Sequence, residues 1–140
     1  MSSLQVIENK KSAVLKYLGI LERYKKYSRQ EIESDVDIRG ALERYLYLAI
    51  QATIDLAEAI IAYKGLRKLA TMSESFYILS EKGVVAADLA RELAKMVGFR
   101  DVIACDCQDL DYGVVLDVLH NRLKDIKNFL NEVSNAMGIR

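Results

Sequence analysis

The sequence predicts an all-α protein, an antiparallel bundle of four to five helices in which residues 1–140 form one domain. Three observations carry this. Proline is absent and glycine occurs seven times in 140 residues, so long helices run unbroken and hairpin turns are scarce. Hydrophobic residues make up 51% of the chain and charged residues 29%, an ordinary globular balance. Apolar residues recur three and four positions apart through several long stretches, the spacing of a helix face.

The first stretch opens with Ser2 and Gln5 at capping-box spacing. It carries Ile7, Val14, Leu18 and Leu21 beside a second row of Ala13, Tyr17, Ile20, Tyr24 and Tyr27. The polar residues from Ser28 to Asp35 mark a turn, with Ser34 and Asp37 as the cap of the next helix. That second helix runs to about Lys64. Ile38, Leu42, Tyr45, Ala49, Ala52, Leu56 and Tyr63 form one apolar row; Leu46, Ile50, Ile54, Ala57 and Ile61 form another. Two rows ask for two packing partners, inside one bundle or between two. A narrow polar stripe remains: Arg44, Gln51, Asp55 and Glu58.

Gly65, Arg67 and Lys68 suit a helix end, and Thr71 with Glu74 suggests another capping box, opening a short helix through Phe76, Tyr77 and Leu79. Gly83 suits a left-handed cap. A further short helix from about Ala86 carries Leu89, Leu93 and Met96 and is expected to end at Lys95 and Gly98. The last helix, from about Tyr112 to Met137, keeps Val115, Leu119, Leu123, Ile126, Leu130, Val133 and Met137 on one side. Asp117, Asn121, Lys124 and Asn128 face water.

Charge and cysteine usage narrow the function. Twenty basic and twenty acidic residues cancel, so any nucleic-acid contact has to come from a local patch rather than an overall positive field. Cys105 and Cys107, the only cysteines, are too close together and too few for a disulfide framework, which points to a reducing, cytoplasmic interior. No secretory leader and no uncharged apolar stretch of bilayer length is read, so no membrane is expected.

The run Lys95-Met96-Val97-Gly98-Phe99-Arg100-Asp101-Val102-Ile103-Ala104-Cys105-Asp106-Cys107 is similar to the signature K-M-x-G-F-R-N-x-x-x-H-x-Y. Asp37-Ile38-Arg39-Gly40-Ala41-Leu42-Glu43-Arg44-Tyr45-Leu46, with Ala49-Ile50-Gln51 and Asp55-Leu56-Ala57, resembles a second helix of the same origin. So does Ser75-Phe76-Tyr77-Ile78-Leu79 with Gly83 for the segment after it. By these residues the chain resembles the HepT-like HEPN family. The resemblance implies a dimerising helical bundle, the toxin half of a toxin–antitoxin pair whose partner is a minimal nucleotidyltransferase. It also implies an RNA endonuclease that needs no metal and no cofactor, using an R-x(4–6)-H motif.

The motif asks for these residue types for a reason. An arginine stays protonated and grips phosphate through paired hydrogen bonds, and a histidine near neutrality moves a proton off a ribose 2′-hydroxyl and onto the leaving oxygen. Arg100 matches the first role. Cys105 stands where the histidine belongs, and a thiol has only one proton site, so weakened or lost cleavage is expected. Asp101, where the family has a polar residue, orients Arg100 or pairs with it. Cys107 falls on the family's tyrosine, the proposed site of adenylylation by the partner.

Other residues read as ordinary surface. Asp55 and Glu58 belong by default to a solvated face, although a nearby motif would let them line a cleft. His120, the only histidine, falls among polar residues on the outer face of the last helix. Cys105 and Cys107 hold zinc only if two chains supply a pair each. The doublets Lys10-Lys11 and Lys25-Lys26 read as solubilising charge, with a contribution to holding an RNA backbone in a dimer as the alternative. Two functions stay open: a ribonuclease using Arg100, Asp101 and Cys105, and a non-catalytic dimeric subunit that docks the nucleotidyltransferase.

Overall fold

The computed structural model describes residues 3–105 and 110–139. Among them every regular element is helical: α1 (Ser3–Glu22), a 3₁₀ turn (Arg23–Lys26), α2 (Arg29–Ser34), α3 (Val36–Lys64), α4 (Glu74–Glu81), α5 (Ala87–Ala104), α6 (Tyr112–Asp117) and α7 (Leu123–Met137). A π turn over Val118–Arg122 joins α6 to α7, so the two run on as one interrupted rod.

The bundle is organised by α3. Helix α1 packs along it on one side, and α4 and α5 pack on the other. Much of both apolar rows of α3 is used within one chain: Leu42, Leu46, Ala49, Ile50, Ala52, Ile54, Leu56, Ala57 and Ile61 are buried, while Ile38 and Tyr45 are half-buried and Tyr63 is exposed. By length and composition α3 also passes for a bilayer-spanning helix, with a mean hydropathy of 1.4 over its most apolar window, although charged residues such as Asp55 and Glu58 interrupt it, so it is not the uncharged stretch whose absence the sequence reading noted. Half of that window is buried inside the bundle, the placement of a core helix.

Helix α7 closes the core. Phe129 and Phe76 of α4 are fully buried and meet edge to face, with ring centroids 5.5 Å apart. The Glu132 carboxylate of α7 accepts the Ala86 backbone N–H at 2.9 Å, satisfying a donor at the start of α5, where Ala86 offers no side-chain cap. Asp125 is buried beside Arg122, and burial pushes its carboxyl above the usual range.

Several caps differ from the sequence expectation. Helix α3 is capped by Asp35, whose side chain accepts from the N–H groups of Asp37 and Ile38, and Ser34 instead bonds back to the Gln30 carbonyl. The polar stretch before it holds a complete helical turn, α2, closed by a Ser28–Glu31 capping box and pinned by buried Ile32. Thr71 caps nothing with its side chain; Glu74 pairs with Arg67 at 2.8 Å. Ser2 lies outside the described residues. Gly65 and Gly83 take the left-handed backbone as expected, with φ of 64° and 74°.

The largest departure concerns α5. It does not end at Gly98 but continues to Ala104, because Met96 and Val97 are buried and Phe99 and Ile103 pack on the core beyond the glycine. Those contacts outweigh a glycine penalty of about 1 kcal/mol. Arg100 and Asp101 consequently stand on a helix rather than in a loop.

Candidate functional site

Arg100 leaves α5 toward the polar stripe of α3. Its guanidinium is largely enclosed, with the side chain 12% exposed. Nη1 donates to Gln51 Oε1 at 2.7 Å and lies 3.1 Å from the Met72 sulfur. Nε donates to Asp101 Oδ1 at 3.1 Å, and Nη2 donates to the same oxygen. Gln51 is held in turn, its amide donating to Asp55 Oδ1 at 2.9 Å. The stripe that reads as a solvated face is therefore half-buried and forms the floor under the arginine.

The field here is divided. Burial and neighbouring Asp55 push the Glu58 carboxyl up, while Arg100 pulls it down. One cation thus sits among Asp55, Glu58 and Asp101. An incoming phosphate meets acidic company, and the edge of Arg100 that it needs is already held by Asp101. Asp101 is 62% exposed, so it can rotate into water and free the Nε and Nη2 edge while Gln51 keeps Nη1.

Cys105 sits just past the end of α5, exposed, with its sulfur 3.1 Å from the Val102 carbonyl oxygen. The sulfur is disulfide-bonded, contrary to the reduced thiol read from the cysteine count. A disulfide sulfur has no proton to give and no thiolate to accept one, so this state of Cys105 supplies no base. Cys107 and Asp106 lie outside the described residues.

The structure thus brings Arg100, Asp101, Gln51, Asp55 and Glu58 together and leaves other candidates elsewhere. His120 is exposed on the π turn. Lys25 pairs with Glu22 at 2.9 Å, and Lys26 stands over the Tyr27 ring. Lys10 and Lys11 lie on α1, which contributes nothing to the Arg100 cradle. The sequence reading missed the roles of Gln51 and Met72. Gln51 carried a signal, its place in the polar stripe; Met72, on the connection before α4, carried none.

A cavity of about 360 Å³ lies farther along α3 and α5, lined by Glu43, Arg44 and Tyr47 of α3 and Ile103 and Ala104 of α5. The Tyr112 hydroxyl donates to Glu43 Oε2, and this bond together with burial pushes the tyrosine well above its ordinary range.

The family model described as HepT-like, ribonuclease HepT-like, matches residues 14–133. Over 60 residues the chain is 30% identical to the mRNA nuclease HepT of Shewanella oneidensis, a match covering 43% of this chain and 45% of that protein. The chain therefore spans just under half the length of this curated relative in the matched region. A solved toxin–antitoxin structure with AMP-PNP superposes with a TM-score of 0.87 at 23% identity, covering 94% of this chain and 98% of that one. The tri-AMPylated HEPN toxin of Shewanella oneidensis, solved in complex with MNT antitoxin, gives 0.86 at 23% identity, covering 96% and 99%. YutE of Bacillus subtilis, a cytosolic protein of unknown function, gives 0.71 at 20% identity over 90% and 89%.

Proposed function

Since the chain belongs to the HepT-like ribonuclease family, whose model covers residues 14–133, we propose that it is the HEPN half of a toxin–antitoxin pair. On this reading it binds RNA through Arg100 on a metal-independent endonuclease scaffold, with cleavage weakened or lost at Cys105. The observation that carries the reading is the Arg100 cradle. Gln51 and Met72 fix one end of the guanidinium while a swinging Asp101 covers the other. Once Asp101 turns away, the Nε and Nη2 edge presents two parallel donors to one phosphate, a geometry lysine does not offer.

The partners proposed with this reading are a second copy of the chain and a nucleotidyltransferase antitoxin of the MNT kind found with the matched HEPN toxin. Homodimerisation rests on the family. It predicts twice the chain mass in solution at micromolar concentration; the mass of a single chain in light scattering would refute it.

The test of the RNA reading is incubation of purified protein with mixed RNA in EDTA. Cleavage should fall at least about 10²-fold in Arg100→Ala, the loss typical when one donor to developing charge is removed. Cleavage that survives the substitution would refute the role of Arg100. Silence from the wild type favours the second reading, a non-catalytic subunit that docks the nucleotidyltransferase. That reading is supported by the disulfide at Cys105 and by Asp101 occupying the arginine.

A further inference from the structure

We infer that the cavity beside Arg100 is a base-binding subsite, which holds one unstacked base of single-stranded RNA and favours bases that carry an exocyclic amino group. The inference rests on the reading of Arg100 as a phosphate ligand and adds the side chains that would choose what surrounds that phosphate.

Position comes first. Tyr47 is four residues before Gln51 on α3, and Ala104 is four residues after Arg100 on α5. Four residues of helix rise about 6 Å, so the cavity sits about one turn from the Arg100 cradle along both helices. That is the reach from a phosphate to a base on the same strand.

The lining supplies stacking and reading groups together. The Arg44 guanidinium lies over the Tyr47 ring, 5.4 Å from its centroid, so a cation and an aromatic ring stand together on the cavity wall. Aromatic rings and guanidinium planes are the surfaces on which proteins stack splayed RNA bases. Arg44 is exposed and makes no ion pair among the described residues, so its charge is available to a strand. Ile103 and Ala104 give the opposite wall an apolar surface for a base face.

Glu43 sets the preference. Its carboxylate is held by the Tyr112 hydroxyl and borders the cavity. A fixed carboxylate accepts hydrogen bonds and donates none, so it matches the amino edge of cytosine or adenine and is mismatched with the carbonyl edge of uracil. The cavity, of about 360 Å³, has room for a single base.

The experiment is fluorescence anisotropy in EDTA with three labelled pentamers: oligocytidylate, oligouridylate and an abasic ribose-phosphate chain. Wild type should bind oligocytidylate tightest. Tyr47→Ala should weaken oligocytidylate binding roughly 5- to 100-fold, the span of one base stack, and leave the abasic chain unchanged. Tyr47→Phe, which keeps the ring, should restore oligocytidylate binding to within about twofold. Arg100→Ala should weaken all three pentamers. Equal binding of oligocytidylate and the abasic chain, or equal losses on both with Tyr47→Ala, overturns the subsite. A Tyr47→Ala effect confined to base-bearing chains, alongside an Arg100→Ala without effect, keeps the subsite and refutes the phosphate reading instead. Free AMP should compete at least tenfold more weakly than oligocytidylate; equal competition would assign the cavity to mononucleotides and overturn its assignment to RNA.

Discussion

Cys105→His should raise RNA cleavage in EDTA by about 10²- to 10⁴-fold over the wild type, the usual contribution of a positioned general acid–base group. The arginine partner is already in place on α5, one turn before position 105, and its guanidinium is held by Gln51 from 49 residues away in the chain. An imidazole at the helix end would be exposed, as Cys105 is, and so would titrate near neutrality, with one nitrogen to take the 2′-hydroxyl proton and the other to carry a proton. The substitution also removes a disulfide. Cys105→Ser removes the disulfide without adding a base and should stay at the wild-type level. A rise in both variants would mean that the disulfide was restraining an active site built from other groups. No rise in either would show that the motif geometry does not assemble a nuclease in this chain.

Phe129→Ala should destabilise the fold by about 3–5 kcal/mol. Phe129 has no exposed surface, and its ring meets Phe76 edge to face at 5.5 Å, so truncation opens a cavity between α4 and α7 and removes an aromatic pair besides. Domains of this size commonly hold about 5–15 kcal/mol in total, which leaves the variant close to the margin of folding at 37 °C. Urea denaturation should show a much lower midpoint with an unchanged slope. A loss under about 1 kcal/mol would mean that α4 and α7 are not packed as described.

How much of this was legible in the chain follows from the range over which each feature is decided. The end of α3 at Lys64, before Gly65, and the left-handed glycine at 83 are local matters of periodicity and backbone freedom, and the sequence carries them. The extent of α5 is not local. Gly98 reads as a stop until Phe99 and Ile103 are seen packing on the core beyond it. The cap at Asp35 rather than Ser34 turns on one residue of register, and both side chains are chemically able to serve. The π turn at Val118–Arg122 leaves no mark in an apolar pattern that stays in phase on either side.

The site divides the same way. Arg100, Asp101 and Cys105 stand in one short motif and are visible as text. Gln51 and Met72 lie 49 and 28 residues upstream, and only the folding of α3 and the α4 approach against α5 brings them to the arginine. The glutamine was visible as part of a polar stripe, yet a stripe does not say which neighbour it faces. Its half-burial under Arg100 is a property of the assembled bundle.

Helix α5 ends differently from α3 and α7. Those two close on a left-handed glycine that ties up their last carbonyls, whereas α5 closes on Cys105 at φ −76° and ψ −5°, with no cation in its last turn. Helix termini are the first parts of a helix to unwind, and Arg100 and Asp101 stand within about a turn of this one, whose capping residue Cys105 is tied by a disulfide. The site is therefore tied to a helix–coil equilibrium. Any ligand that bridges Arg100 to α3 shifts that balance toward helix, so binding and local folding share one free energy.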